Sequence, residues 1–207
     1  MTRDSILEGK HILMVLAHCD DELVCGWPIL QNPKIRKSLI IVSSDRNNRE
    51  RQWCSHRKFV TQDLCRSLAI NPCILDYNSE FFRLNHRNGQ LAKLEHNILN
   101  AIHRFSPDYV FTHNLHGEYG HLDHVFIANL LFRAADYPLL ISDLTMSADW
   151  TKTPPSSQRY VRTYYRNLVG RFSLNHSFYR HVKQFYETRS VWTWTQEPAE
   201  ECGLYLL

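Results

Sequence analysis

The chain lacks several features that mark specialised classes of protein. Its first apolar run, residues 11–17, is too short for a signal sequence or a membrane span. None of its six cysteines forms a C-x-x-C pair, which argues against a thiolate zinc ribbon and a disulfide framework and fits reduced thiols. A net charge of +3 is too small to indicate a polyanionic partner. We therefore expect a soluble, unexported, cytoplasmic protein with no nucleic-acid partner and no integral membrane contact.

Histidine, by contrast, is abundant. The chain has 12 histidines among 207 residues, and imidazole is the commonest protein ligand of metal ions. The remaining composition, 43% hydrophobic and 22% charged, is that of an ordinary globular protein. The length suits one domain. We assign residues 1–207 to a single domain, with a core over about 10–142 and a variable loop and helix/strand region over 143–207.

Apolar segments rich in valine and isoleucine alternate with longer amphipathic segments, which is typical of βαβ units. The pattern predicts an α/β fold in which a Rossmann-like, mostly parallel sheet is flanked by helices. Strands are predicted near residues 11–17, 38–44, 72–76, 108–113 and 138–142. Helices are predicted at about residues 20–31, 50–69, 91–105, 121–135 and 174–188. The polar stretch 146–158, with two adjacent prolines, is predicted to be a lid or a substrate-facing loop.

Two clusters carry groups suited to metal binding and proton transfer. The first strand ends in His-Cys-Asp-Asp-Glu at 18–22, and a second cluster, H-x-x-H-G-E-x-G-H-x-D-H, covers 113–124. His18 and Asp21 are three residues apart across a strand-to-helix turn, so both can approach one point. A third ligand, for which we choose His124, would complete the open three-ligand pattern of catalytic zinc. His121 and His124 are also three apart, so one can bind metal while the other faces substrate.

Each of these residues also has an ordinary structural interpretation. An Asp pair at the start of a helix often serves only to stabilise the first turn, and single loop histidines usually bond to the backbone. Both motifs at strand ends in one short α/β chain favour the metal site. Cys19 is not expected to be a ligand, because consecutive residues of an extended chain point to opposite sides.

The two motifs resemble those of a known family. The run Ala17-His-Cys-Asp-Asp-Glu22 is similar to the A-H-P-D-D-E motif of the LmbE-like, or PIG-L, zinc-dependent de-N-acetylases, and Gly120-His-Leu-Asp-His124 is similar to their G-H-P-D-H motif. The resemblance extends over about residues 10–140. Cys19 and Leu122 replace the two prolines, so both turns lose a fixed φ and must be held by packing.

The resemblance implies a role for each motif residue. It implies one zinc ion per chain, held by His18, Asp21 and His124, with other divalent metals such as Fe(II) or Co(II) also suited to these ligands. It further implies that Asp20 is the general base, that a protonated His121 is the acid partner, and that Asp123 orients His121. The family often carries a substrate-binding Arg on the helix after the second strand. The candidates for this role are Arg49, Arg51 and Arg57. Glu118 and Tyr119, inside the second cluster, are further candidate substrate contacts at the mouth of the site, and Glu118 could equally accept hydrogen bonds from loop amides.

The function that this resemblance implies is hydrolysis of the N-acetyl group of an N-acetylglucosamine-type sugar or glycoconjugate by a zinc-bound water. Two alternatives remain open, a metal-dependent phosphoesterase and a non-catalytic, metal-stabilised carbohydrate-binding domain. The segment 159–189 combines seven basic residues with aromatic ones. We interpret it as a helix with an aromatic core face and a solvated basic face rather than a nucleic-acid surface. A third alternative, in which the basic face meets an anionic part of the substrate such as a phosphate, a nucleotide-sugar diphosphate or a lipid headgroup, remains open. The sequence leaves the oligomeric state open.

Overall fold

The computed structural model describes residues 6–44, 52–84, 89–134, 136–144, 165–192, 194 and 198–207. The strands in these ranges are β1 (His11–His18), β2 (Arg36–Ser43), β3 (Asn71–Tyr77), β4 (Tyr109–Thr112), β5 (Leu139–Ser142), β6 (Leu168–Ser173) and β7 (Glu201–Leu206). The helices are α1 (Asp21–Val24), α2 (Trp27–Leu30), α3 (Gln52–Ser67), α4 (Gln90–Phe105), α5 (Gly117–Gly120), α6 (Leu122–Ala134) and α7 (His176–Glu187).

These strands form one sheet in the order β3-β2-β1-β4-β5-β7-β6. The first five in this order run parallel, whereas β7 is antiparallel to both β5 and β6. The predicted α/β fold with a mostly parallel sheet is therefore confirmed. From β1 the chain builds β2 and β3 on one side and then β4 and β5 on the other. The carboxyl ends of β1 and β4 thus flank the point where strand order reverses, and open α/β sheets bind ligands there.

Strand β1 is an interior strand between β2 and β4, and its residues 12–17 are all apolar because both of its faces are covered. Ile12, Met14 and Leu16 belong to one buried cluster, and Leu13, Val15 and Ala17 belong to another. This alternation follows from the two-residue period of a strand. Helix α7 packs into the first cluster through buried Tyr179, Val182 and Tyr186.

Several predicted elements differ in detail from the structure. The helix predicted over 20–31 is two short helices, α1 and α2, because the chain turns at Gly26, where a Cβ atom would lie 2.9 Å from the Glu22 carbonyl oxygen. Strands β6 and β7 were not predicted, since they pair antiparallel and do not follow the βαβ pattern. The loop predicted over 146–158 lies outside the described residues. No helix in the described ranges has the length and apolarity needed to cross a membrane.

Candidate metal centre and active site

The first cluster of polar residues lies at the carboxyl end of β1, where the strand turns into α1. His18 is the last residue of the strand, and Asp21 begins the helix. The second cluster follows β4 and runs through α5 into the first turn of α6. Because β1 and β4 are parallel neighbours, their carboxyl ends bring together two segments about a hundred residues apart in sequence. Asp21 and His124 are fully buried, and His18 is 9% exposed.

Three donor atoms in this region form a nearly equilateral triangle. His18 Nδ1 lies 3.3 Å from His124 Nε2 and 3.4 Å from Asp21 Oδ2. The third edge, from His124 Nε2 to Asp21 Oδ2, is 3.3 Å. Tetrahedral zinc bonds of about 2.0–2.1 Å place neighbouring ligand atoms about 3.3 Å apart. The chemistry and spacing of these donors therefore fit a metal ion held by three protein ligands.

A carboxylate holds the outer nitrogen of His18. His18 Nε2 lies 3.1 Å from Asp123 Oδ2, and the same carboxylate accepts the backbone N–H groups of Glu80 and Phe82. With its proton on Nε2, His18 presents a free lone pair on Nδ1 to the triangle. We expected Asp123 to orient His121. Its carboxylate instead contacts His18, and only its backbone N–H donates to His121 Nδ1, at 3.2 Å.

Glu118 is the carboxylate that contacts the outer nitrogen of His124, as Asp123 does for His18. One carboxylate oxygen lies 2.8 Å from His124 Nδ1 and 3.0 Å from His113 Nδ1, and the other accepts the backbone N–H of Asn114 at 2.9 Å. With its proton on Nδ1, His124 presents the Nε2 lone pair to the triangle. The sequence left two roles open for Glu118, a substrate contact at the site mouth and an acceptor of hydrogen bonds from loop amides, and its bond from the Asn114 N–H agrees with the second. Glu118 is 1% exposed and lies behind the ligand histidine, with a left-handed backbone at φ +58°.

Glu118 keeps its negative charge despite complete burial. Burial alone would raise its pKa, but the neighbouring His113 and His124 outweigh that effect and lower the pKa of Glu118 to about 2. A non-glycine residue with left-handed φ is strained by about 1–3 kcal/mol. This backbone conformation places the Glu118 carboxylate against the Nδ1 atoms of both His113 and His124, so the strained residue is the one that positions these two rings.

His113 has both ring nitrogens occupied, and this excludes it as a metal ligand in the geometry observed. Its Nε2 accepts the Ala17 backbone N–H at 2.9 Å, so the ring proton must lie on Nδ1, which faces Glu118. Burial, followed by the charge of His124, lowers the pKa of His113 and keeps it neutral. The ring stacks on His124 with centroids 3.8 Å apart. The sequence identified His113 only as a possible loop histidine, and no spacing signal separates this support role from ligation.

Asp20 is held at both its backbone and its carboxylate. It adopts φ +100°, and its Oδ2 lies 3.0 Å from the guanidinium Nη2 of Arg57. Burial raises the pKa of Asp20 to about 6, although Arg57 opposes the shift. Arg57 was predicted as a substrate contact. It is 9% exposed and uses its guanidinium to hold Asp20, while Arg49 and Arg51 lie outside the described residues.

His121 lies beside the triangle, with a ring nitrogen within 4.8 Å of ring nitrogens of His18 and His124. Its ring centroid is 4.7 Å from those of both His18 and His124. Burial, together with the charges of His124 and His18, lowers the pKa of His121 to about 4. Its Nδ1 accepts the Asp123 N–H, so the neutral ring carries its proton on Nε2. We expected a protonated His121, and the lowered pKa instead favours a neutral imidazole donor near pH 7.

An aromatic pair adjoins the histidines. The Tyr119 ring centroid lies 5.2 Å from His124, 5.7 Å from His121 and 5.1 Å from Trp194. All three contacts are edge-to-face. Tyr119 and Trp194 are both half-buried, so the pair forms part of the wall between the buried triangle and the surface. Cys19 faces the hydrophobic core instead, with 2% exposure, as expected from its position after His18.

The electrostatic character of the site is anionic. Burial alone would lower the pKa of His18, but Asp123 and Asp21 raise it to about 10. The same balance, with Asp21 and Glu118 as the raising groups, brings the pKa of His124 to about 9. The carboxylates that stabilise protons on these imidazoles would also stabilise another cation between them. A divalent metal ion would be attracted by the same negative electrostatic potential.

Comparisons with known proteins show similarity in sequence and in fold. Uncharacterized protein L374 of Acanthamoeba polyphaga mimivirus is 31% identical over 128 residues, which are 58% of this chain and 56% of that protein, so the match spans about half of its length. The structure of the A40926 pseudoaglycone deacetylase Dbv21 superposes with a TM-score of 0.58 at 15% identity, covering 89% of this chain and 82% of that one. A 4-carboxy-2-hydroxymuconate hydratase, GalB, from Pseudomonas putida gives 0.53 at 13% identity, covering 96% of both chains.

One of these two similar structures is a deacetylase and the other a hydratase. At identities of 13–15%, the similarity shows only a shared fold. A family model provides the more specific result. The model described as PIG-L, GlcNAc-PI de-N-acetylase, matches residues 13–135, which are more than half of the chain and contain both motifs. This chain therefore belongs to the PIG-L (GlcNAc-PI de-N-acetylase) family.

Proposed function

We propose that the protein is a zinc-dependent hydrolase that removes the N-acetyl group from an N-acetylglucosamine-type sugar or glycoconjugate. The observation that carries this proposal is the triangle of His18, Asp21 and His124, whose edges of 3.3–3.4 Å match a tetrahedral metal ion. Both histidine ligands have a carboxylate on their outer nitrogen, which is the usual support of metal-binding imidazoles. Membership of a family described as de-N-acetylases supports the choice of reaction.

When bound, a zinc ion would supply Lewis acidity, polarising a carbonyl and lowering the pKa of a water molecule to about 7. Asp20 would act as the general base. Its Oδ accepts a proton from the attacking water, and its pKa of about 6 leaves it ionised at neutral pH. Arg57 holds this carboxylate in place. As the C–N bond breaks, the same proton passes from Asp20 to the departing amine, and the products are acetate and the free amino sugar.

His121 would stabilise the negative charge that develops on the carbonyl oxygen. As a neutral imidazole with its proton on Nε2, it can donate a hydrogen bond to that oxygen without carrying a full charge. Neutrality is compatible with the site because a cation at the triangle would repel an imidazolium. This role needs no protonated His121.

The aromatic pair of Tyr119 and Trp194 suits a sugar substrate. A pyranose ring has an apolar face, and aromatic rings offer a flat apolar surface with polar edges. The pair lies against His121 and His124, so a sugar packed on it would have its acetamido group near the triangle. We propose Tyr119 as a substrate contact on this basis.

The proposal is tested by incubating the protein, loaded with one equivalent of zinc, with a panel of N-acetylglucosamine derivatives and measuring free amine and acetate. Parallel samples carry Co(II) or Fe(II) and identify the most active metal. Asp20→Asn should keep the metal and lose about 10²- to 10⁴-fold in kcat, and Glu200→Gln on the surface is the matched control. Absence of amine release across the panel at full metal occupancy would refute the proposal. Two tightly bound ions per chain together with phosphate release would favour a phosphoesterase.

A further inference from the structure

The end of α7 and the residues just after it are connected to the proposed general base by two chains of polar contacts, one through Glu22 and one through Arg57. Asp20 donates its backbone N–H to Glu22 Oε2 at 3.1 Å, and the other carboxylate oxygen of Glu22 accepts the hydroxyl hydrogen of Tyr186. The Tyr186 hydroxyl also bonds to Thr61 Oγ1 at 2.9 Å. Glu22, Thr61 and Tyr186 are all 0% exposed. This route therefore runs through the core and fixes the backbone of Asp20.

The second route reaches the side chain of Asp20 through an ion pair. Arg57 Nη2 lies 3.0 Å from Asp20 Oδ2, and Arg57 Nε donates to the Val191 carbonyl at 3.2 Å. Val191 in turn donates its N–H to the Tyr186 carbonyl at 3.0 Å. Tyr186 and Val191 are thus hydrogen-bonded to each other. Tyr186 is connected through Glu22 to the Asp20 backbone N–H, and Val191 is connected through Arg57 to the Asp20 carboxylate.

Asp20 requires such support because its backbone is strained. A φ of +100° in a residue with a Cβ atom costs about 1–3 kcal/mol and persists only where the surroundings enforce it. Asp20 makes no side-chain capping bond to α1. Relaxation toward an ordinary φ would reorient the Asp20 side chain, so the bond from the Asp20 N–H to Glu22 opposes a motion that would displace the base.

We infer that the end of α7 is a positioning element for the reaction, in which Tyr186, acting through Glu22, and Val191, acting through Arg57, hold Asp20 in its strained conformation. Both residues lie beyond residue 135, where the match to the family model ends. The inference rests on the proposed function because Asp20 is assigned as base there. The part of the chain outside the matched range would then contribute to catalysis without touching the substrate.

The test is Tyr186→Phe, which removes the hydroxyl and keeps the buried ring. The matched control is Tyr179→Phe, which removes a hydroxyl from the other buried tyrosine of the same helix. Two properties are measured in zinc-loaded, ¹⁵N-labelled protein: the exchange rate of the Asp20 amide, and kcat and KM for amine release. We expect Tyr186→Phe alone to accelerate Asp20 amide exchange at least tenfold and to lower kcat about 10- to 100-fold, with KM and zinc affinity within twofold of wild type.

Unchanged Asp20 exchange in Tyr186→Phe would overturn the inference, and so would faster exchange with unchanged kcat. A parallel loss of zinc affinity would also overturn it, because the effect would then be a general loosening of the site. If Tyr186→Phe does not fold, Thr61→Val replaces it. This variant removes the hydrogen bond between Thr61 Oγ1 and the Tyr186 hydroxyl and is judged by the same criteria. If wild-type protein releases no amine, the proposed function fails by itself, and the amide exchange still decides whether Tyr186 holds Asp20.

Discussion

Replacing Glu118 by glutamine should destabilise the metal-free protein by about 3 kcal/mol at pH 7. The shift in the pKa of Glu118 from 4.5 to about 2 means that the fold favours the ionised form by about 3 kcal/mol. Hydrogen-bond geometry leads to the same expectation. Both carboxylate oxygens accept N–H donors, so either orientation of a glutamine amide would turn its NH₂ group toward a donor and leave a buried bond unmade.

The assay is thermal unfolding by circular dichroism in the presence of a chelator. For a chain of this length, about 3 kcal/mol corresponds to a decrease in Tm of about 6–12 °C. Glu200→Gln removes a carboxylate whose side chain is 71% exposed and should change stability by less than about 0.5 kcal/mol. In addition, Glu118→Gln should weaken zinc binding about 10- to 100-fold, because the carboxylate orients His124.

The pH dependence gives a further check on the sign of the effect. The pKa of Glu118 is lower in the folded state, so its stabilising effect is complete above pH 4.5 and is lost as the pH falls toward 2. The stability difference between wild type and Glu118→Gln should therefore shrink below pH 4.5. A Tm difference no larger than that of Glu200→Gln at pH 7 would refute the reasoning.

Two further predictions concern metal removal and pH. Zinc at a hundred times its Kd should stabilise the wild-type protein by about 2.7 kcal/mol, or roughly 5–11 °C in Tm; His124→Ala should abolish this shift, and an equal shift in that variant would contradict the ligand assignment. Burial lowers the pKa of His11, whose Nε2 bonds to Ser38 Oγ at 2.9 Å. The stability contributed by His11 should therefore decrease as the pH falls below 6.5. His11→Gln should weaken this decrease in chemical denaturation between pH 7 and 5, and parallel curves for the two proteins would contradict it.

The fold could be predicted largely from local pattern. An apolar run such as residues 11–17 must be covered on both faces, and its alternation with amphipathic segments indicates a parallel sheet. Strands β6 and β7 escaped prediction because each owes its place to pairing with a distant strand. Leu140 of β5, for example, pairs with Leu206 near the end of the described chain. No local periodicity encodes such a pairing.

The residues of the site could be identified from sequence, but their connections could not. The spacing of His18 and Asp21, with a histidine at 124, was sufficient to propose a metal site, because ligand chemistry and strand-end position are local properties. The structure brings their donor atoms within 3.4 Å of one another. The contact of Asp123 with His18 rather than His121 depends on how α6 packs against β1, and no residue spacing specifies it.

The sequence by itself therefore determined the fold class, the two motifs and the chemical types of the groups that meet at the ends of β1 and β4. Only the tertiary structure decided which nitrogens of His18 and His124 face the triangle, that Arg57 holds Asp20, and that Tyr186 reaches Glu22 across 164 residues of chain. The physical reason is that side-chain identity is local, whereas hydrogen-bond partners and burial depend on which surfaces pack together. The strained His-Cys-Asp-Asp-Glu turn shows the difference. Its five residue types indicate its chemistry, whereas the side chains that hold it in place come from other segments of the protein, among them α3 and α7.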